Sequence, residues 1–133
     1  MQNESESAPP AVTIVQPWAW GLIYGARRSH MLGHRARSLG PHLVYAAKTQ
    51  QFITPSARGN LPGLPPENRL SYGAFIGTID VVDCDRDGSL WRWTFENPRP
   101  IKPIPFVGST RPFEVPHDVW QAISFLDPKA SES

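Results

Sequence analysis

Apolar positions along this chain come in short blocks punctuated by proline and glycine, and each block keeps one of two spacings. Val12 to Val15 is a β-branched apolar run that reads as a buried strand. Pro17 suits the first position of a helix running to Tyr24, and Gly25 supplies its stop. At the helical period, Trp18, Ala19, Leu22 and Ile23 fill one broad arc, while Trp20 and Tyr24 form a separate ridge one turn apart. A helix that is apolar all round is buried on both sides or lends one side to a ligand.

The pattern from Arg28 to Arg37 is basic and irregular, as expected of an edge strand and its turn. His42 to Ala47 reads as a strand that ends at Lys48. Four prolines and two glycines between Thr49 and Arg69 make that stretch a long loop, with room for a helical turn near its start. Ala74 to Asp83 is the clearest strand; Asp87-Gly88 is a hairpin signal, and Leu90 to Phe95 is the partner strand. Asn97 to Pro105 is proline-rich and extended, and Phe113 to Val115 is a short strand. Pro116 opens a last helix with Val119, Ala122, Ile123 and Leu126 on one face. The order predicts a small α+β domain around a curled sheet or barrel, spanning 12–127, with polar disordered tails at 1–11 and 128–133.

Composition fits one domain. The 133 residues are 40% hydrophobic, enough for one core without metals or disulfides, and the 15 prolines confine helices to short windows. No apolar run is long enough to span a bilayer, and the first ten residues lack the basic and apolar regions of a secretory signal. A single cysteine, Cys84, fits a reducing compartment; the expectation is a cytoplasmic protein with no membrane contact.

Charge changes the picture. The net charge of +1 hides an asymmetry: Pro17 to Pro66 carries Arg27, Arg28, Arg35, Arg37, Lys48 and Arg58 with no acidic residue, and also holds His30, His34 and His42. If these side chains share a face, they attract a polyanion. Trp18, Trp20 and Tyr24 immediately precede the cations, and aromatic faces stack on bases while guanidinium groups hold phosphates. At least one of the two tryptophans is expected in the core.

Other chemistry is poorly supported. Asp83-Cys84-Asp85-Arg86-Asp87-Gly88 begins like a calcium loop, but Thr94 stands where the closing Glu belongs and strands flank it, so hydrated aspartates at a hairpin explain it better. The histidines lack a zinc-type ligand set. There is no nucleophile elbow, P-loop or dinucleotide fingerprint. No catalytic residue, metal or cofactor is assigned.

Val15-Gln16-Pro17-Trp18-Ala19, then Gly25, then Gly40 to Lys48 resembles the ASCH family, with its strand, Q-P-W-A, a helix ending in Gly, a charged segment and a further strand. Gly73-Ala74-Phe75-Ile76-Gly77 through Asp83-Cys84 is similar to the family's later strand, and Trp93, Asn97 to Pro100 and Phe113-Glu114-Val115 also fit. The resemblance covers about residues 12 to 116. It implies a PUA-like small β-barrel with flanking helices and a cleft that binds RNA or other nucleic acid; some relatives are hydrolases acting on a modified cytidine or on RNA.

This chain departs from the family where the hydrolases keep their chemistry. Arg27 replaces a Lys, Arg28 stands where the amidohydrolase branch has a Thr, His30 replaces a Glu and Leu32 an Arg. The deacylase mechanism therefore does not carry over. Losing the Glu completes the acid-free stretch and favours a phosphate. The reading ranked first is a binder of RNA or DNA, single strands favoured. A nuclease with His30 or His34 as general base, or another hydrolase of RNA or modified nucleosides, ranks second, and a protein-interaction adaptor third. The expected contacts are Arg27, Arg28, Arg35, Arg37 and Lys48 on phosphates, Trp18 or Trp20 as stacking surface, His30 and His34 lining the cleft, and Gln16 reading a base edge or capping the helix. Replacing Arg27 and Arg28 by Ala is expected to weaken binding without lowering stability.

Overall fold

In the computed structural model, residues 10–25, 27–50, 59, 61–109 and 113–126 are described. Among the described residues, β-branched, aromatic and apolar runs build six strands: β1 (Pro10–Gln16), β2 (Ser29–Leu32), β3 (Gly40–Gln50), β4 (Ala74–Asp87), β5 (Leu90–Pro105) and β6 (Phe113–Glu114). Two short helices accompany them, α1 (Trp18–Ile23) and α2 (His117–Gln121). The strands form one sheet in the order β2-β5-β4-β3-β1-β6, antiparallel except for the parallel β1–β3 pair. This is an α+β domain. The expected closed barrel does not form: β2 and β6 are the two ends of the order, and with four and two residues they are the shortest strands.

Both faces of the sheet are buried, because successive side chains of β1 and β3 enter two different clusters. Val12, Ile14, Val44 and Ala46 join Ile76, Ile79, Val81, Trp93 and Phe95 on the face covered by α1 through Ala19, Leu22 and Ile23. Ala11, Leu43, Tyr45, Phe75 and Ile101 lie on the other face, packed by Val119 and Trp120 of α2 and by Ile123. Gly77 permits the close approach of α1: a Cβ there would lie 2.6 Å from Ile23 Cδ1 and 2.9 Å from the Arg99 carbonyl oxygen.

Several elements run further than their local pattern predicts. β1 begins at Pro10, and Ala11, assigned from sequence to a tail, is fully buried. β4 continues to Asp87, so the calcium-like segment is extended strand closed by a turn at Gly88 (φ +65°). β5 absorbs both the predicted partner strand and the proline-rich stretch after it; the join is a bulge where Asn97 takes φ +56° and donates from Nδ2 to Asp80 Oδ2 at 2.9 Å.

The last helix is shorter than predicted. It ends at Gln121, and Ala122 and Leu126 are exposed rather than on a buried face. The chain turns back because β5 offers better pairing: Lys102 N–H donates to Ser124 O and Leu126 N–H to Pro100 O. A one-turn 3-10 helix occupies Glu67–Arg69, whereas a turn near the start of the long loop would fall outside the described residues. Among the described residues no helix is long and apolar enough to cross a membrane.

Candidate functional site

Just past α1 the chain passes Gly25 and enters β2, and this corner faces the bulge of β5. Between them lies a cleft of about 140 Å³ whose walls include Arg27, Arg28, Phe95, Glu96, Asn97 and Pro98. Arg27 is fixed within it. Its guanidinium carbon lies 4.7 Å above the Trp18 ring, Nη2 donates to Ser29 O at 3.1 Å, and Nε is buried with no hydrogen-bond partner among the described residues. Arg28 is exposed, and its carbonyl accepts Phe95 N–H at 2.8 Å, which extends the β2–β5 ladder.

His30 pairs with Trp93 across that ladder, so both side chains point to the α1 face. Its Nδ1 is likewise buried without a partner. Burial, and then the positive charge of Arg27, push its pKa down to about 4, so the ring is neutral near pH 7. An imidazole so weakly basic is a poor general base but a competent hydrogen-bonding group.

The other predicted residues do not converge here. Gln16 is 1% exposed and spends both ends of its amide inside the protein: Oε1 accepts Trp20 N–H at 2.9 Å and Nε2 donates to Ser71 O at 2.9 Å. Of the two sequence readings, the helix cap is the one the geometry supports. Trp18 carries Arg27 on its ring and packs against the core cluster. Trp20 stacks on Tyr24 with centroids 6.0 Å apart and lines a separate cleft with Arg69 and Ser71.

His34 sits edge-on to Trp93 at 5.5 Å, and its carbonyl accepts Trp93 Nε1–H at 2.9 Å. Arg35 lies 5.6 Å over Trp91, a ring that Arg86 also approaches at 5.8 Å. Arg37 is exposed on the β2–β3 connection, and Lys48 lines a further cleft with Thr13, Tyr45 and Gly108. The predicted basic residues are thus divided among several places on the surface, and Arg27 and Arg28 share one cleft.

Sequence reasoning missed three parts of this region. Glu96 comes from the acidic half and puts an anion on the rim of the Arg27–Arg28 cleft. Trp93, read only as a strand residue, is fully buried between the edge-on rings of His34 and His42 and organises the surrounding loop. Cys84 accepts Ala36 N–H at 3.4 Å and fastens the same loop to β4. The one sequence signal for the first was Asn97-Pro98 beside Glu96, a likeness to a turn within a strand-forming run.

Among the described residues no group of three or more His, Cys, Asp or Glu side chains is placed to hold a metal ion. No protein-family model matches this chain, and no curated protein matches it.

Proposed function

We propose that this protein binds nucleic acid, with single-stranded RNA or DNA favoured over duplex, and that the strand's phosphate seats in the Arg27–Arg28 cleft. The observation that carries the reading is the Arg27–His30 pair. Arg27 lines the cleft, and its Nε, like Nδ1 of the His30 ring that feels its charge, is a buried polar atom without a partner among the described residues; the exposed Arg28 adds a second cation to the cleft wall. Buried polar groups are ordinarily satisfied, and a phosphate oxygen is the acceptor that suits a guanidinium best. A neutral His30 adds no repelled or competing charge, and the aromatic seat of Arg27 orients its fork before any ligand arrives.

The ASCH-like relationship belongs to this proposal, supported by the order strand, Gln-Pro-Trp-Ala, helix, an edge strand flanked by arginines, and glycine-bearing β4. A PUA-like ancestry then has to accommodate a sheet left open at β2 and β6. The lone Cys84 and a nucleic-acid ligand together suit the cytoplasm.

Fluorescence anisotropy of labelled single-stranded RNA, single-stranded DNA and duplex, each titrated at several salt concentrations, tests the reading. Arg28→Ala should lower the slope of log affinity against log salt by about 0.7 on a single strand, the value for one lost phosphate contact. No binding even at low salt would sink the assignment. Cleaved strands on a gel afterwards would move the protein to the nuclease reading.

A further inference from the structure

The geometry points to a guanine-binding pocket on β4–β5 that adjoins the Arg27–Arg28 cleft; it rests on the nucleic-acid reading above. A second cleft, of about 530 Å³, shares Asn97 and Pro98 with the first, so the β5 bulge is a wall common to both. Its size lies in the ~300–1,000 Å³ range of small-molecule sites. Thr78, Asp80, Asn97 and Arg99 supply its polar lining, and Trp120 and Phe125 its aromatic walls.

The polar groups are set in position by the fold. Asn97 Nδ2 donates one of its two hydrogens to Asp80 Oδ2 at 2.9 Å, which orients the amide and leaves Asn97 Oδ1 and Asp80 Oδ1 as acceptors. Arg99 is held with its guanidinium carbon 3.8 Å from the Phe125 ring centre, and this arrangement presents a planar cation within the same cleft. The site therefore offers a carboxylate-centred acceptor pair, a guanidinium donor and aromatic walls.

Base chemistry selects among possible occupants. Guanine alone carries two adjacent donors, N1–H and the N2 amine, beside an O6 acceptor. The donors match Asp80 and Asn97, and O6 matches Arg99. Adenine and cytosine each place a ring-nitrogen acceptor beside their amine, which would face the Asp80 carboxylate. Uracil flanks its one N–H with two carbonyls. A strand whose phosphate sits at Arg27 and Arg28 can turn one base over the shared Asn97–Pro98 wall into this pocket.

The test compares a short oligouridine with the same strand carrying one central guanosine, adenosine, cytidine or inosine, by anisotropy with the full chain. The guanosine strand should bind about tenfold tighter than oligouridine, and inosine, which lacks the N2 amine, should lose most of that gain without any change to the protein. Asp80→Asn keeps a carbonyl for Asn97 and should abolish the guanosine preference, read as the ratio of guanosine-strand to oligouridine affinity within the variant; its thermal unfolding is recorded alongside. Equal affinity for all strands, or a preference that survives in Asp80→Asn, would overturn the pocket and leave the phosphate cleft standing. Failure of every strand to bind would overturn both. Free guanosine monophosphate that competes as well as the strand would reassign the pocket to a nucleotide and overturn its coupling to the phosphate cleft.

Discussion

The guanidinium of Arg27 lies 4.7 Å over the indole of Trp18, and the tryptophan in turn packs on the core beneath α1. The pair couples the candidate ligand cleft to the hydrophobic core. Arg27 also crowds Gly21, where a Cβ would stand 2.7 Å from Arg27 Cδ, so its aliphatic stem is part of the packing. The sequence-based expectation that truncating both arginines spares stability therefore needs revision. Arg27→Ala should cost about 1–2 kcal/mol, from the lost cation–π contact and stem packing, and should weaken strand binding as well. Arg28→Ala should affect binding alone. Thermal melts beside salt-series anisotropy separate the two, and equal melting temperatures for both variants would contradict the structural role given to Arg27.

Gln16 makes a contrasting prediction. Its amide, on a side chain only 1% exposed, caps α1 at Trp20 N–H and ties the Ser71 carbonyl to the same point. Gln16→Ala should destabilise the fold by about 1–3 kcal/mol by stranding those backbone groups. Affinity for any strand, measured where the variant is still folded, should match the parent. A selective loss of base preference without a stability change would instead restore Gln16 as a reader of base edges.

Gly77 sets the distance between α1 and the sheet. A methyl group there meets the Arg99 carbonyl oxygen at 2.9 Å as well as Ile23 Cδ1 at 2.6 Å, and backbone cannot swing away as a side-chain end can. Gly77→Ala should therefore cost about 1–3 kcal/mol in denaturant unfolding. A simultaneous Ile23→Val change should recover part of it, because it shortens the nearer obstacle. Full stability in the single variant would show that the helix has slack over β4.

His30 gives the protein an acid limb. Its folded pKa is depressed from 6.5 to about 4, by burial first and the Arg27 charge second. The unfolded chain takes up the proton earlier as pH falls, so His30 does not weaken the fold above pH 6.5 and does so progressively from there down to about 4. His42, whose pKa burial also lowers despite its bond to the Gly40 carbonyl and the nearby Asp80, adds a parallel slope. His30→Gln should flatten the decline only in part. Denaturant midpoints collected across that window would refute the assignment if parent and variant fell together.

What the sequence determined by itself is the local grammar of the fold. Continuous apolar runs gave β1 and β3 two buried faces, and Asp87-Gly88 set the hairpin. Irregular basic spacing marked β2 as an edge strand, and the Pro-Trp-Ala run marked a helix start. All of these depend on neighbours a few residues apart. Tertiary structure decided which of them meet. β2 and β3, adjacent in sequence, are separated in the sheet by β5 and β4. At the usual ~4.8 Å strand spacing that puts them about 14 Å apart, so Arg27 and Arg28 part company with Lys48. The same strand order brings Glu96 and Asn97 to Arg27 across dozens of residues, and the backbone bonds of β5 to Ser124 and Leu126 end α2 early. An acid-free stretch of chain fixes charge along a line; the pairing of distant strands fixes which charges face one another.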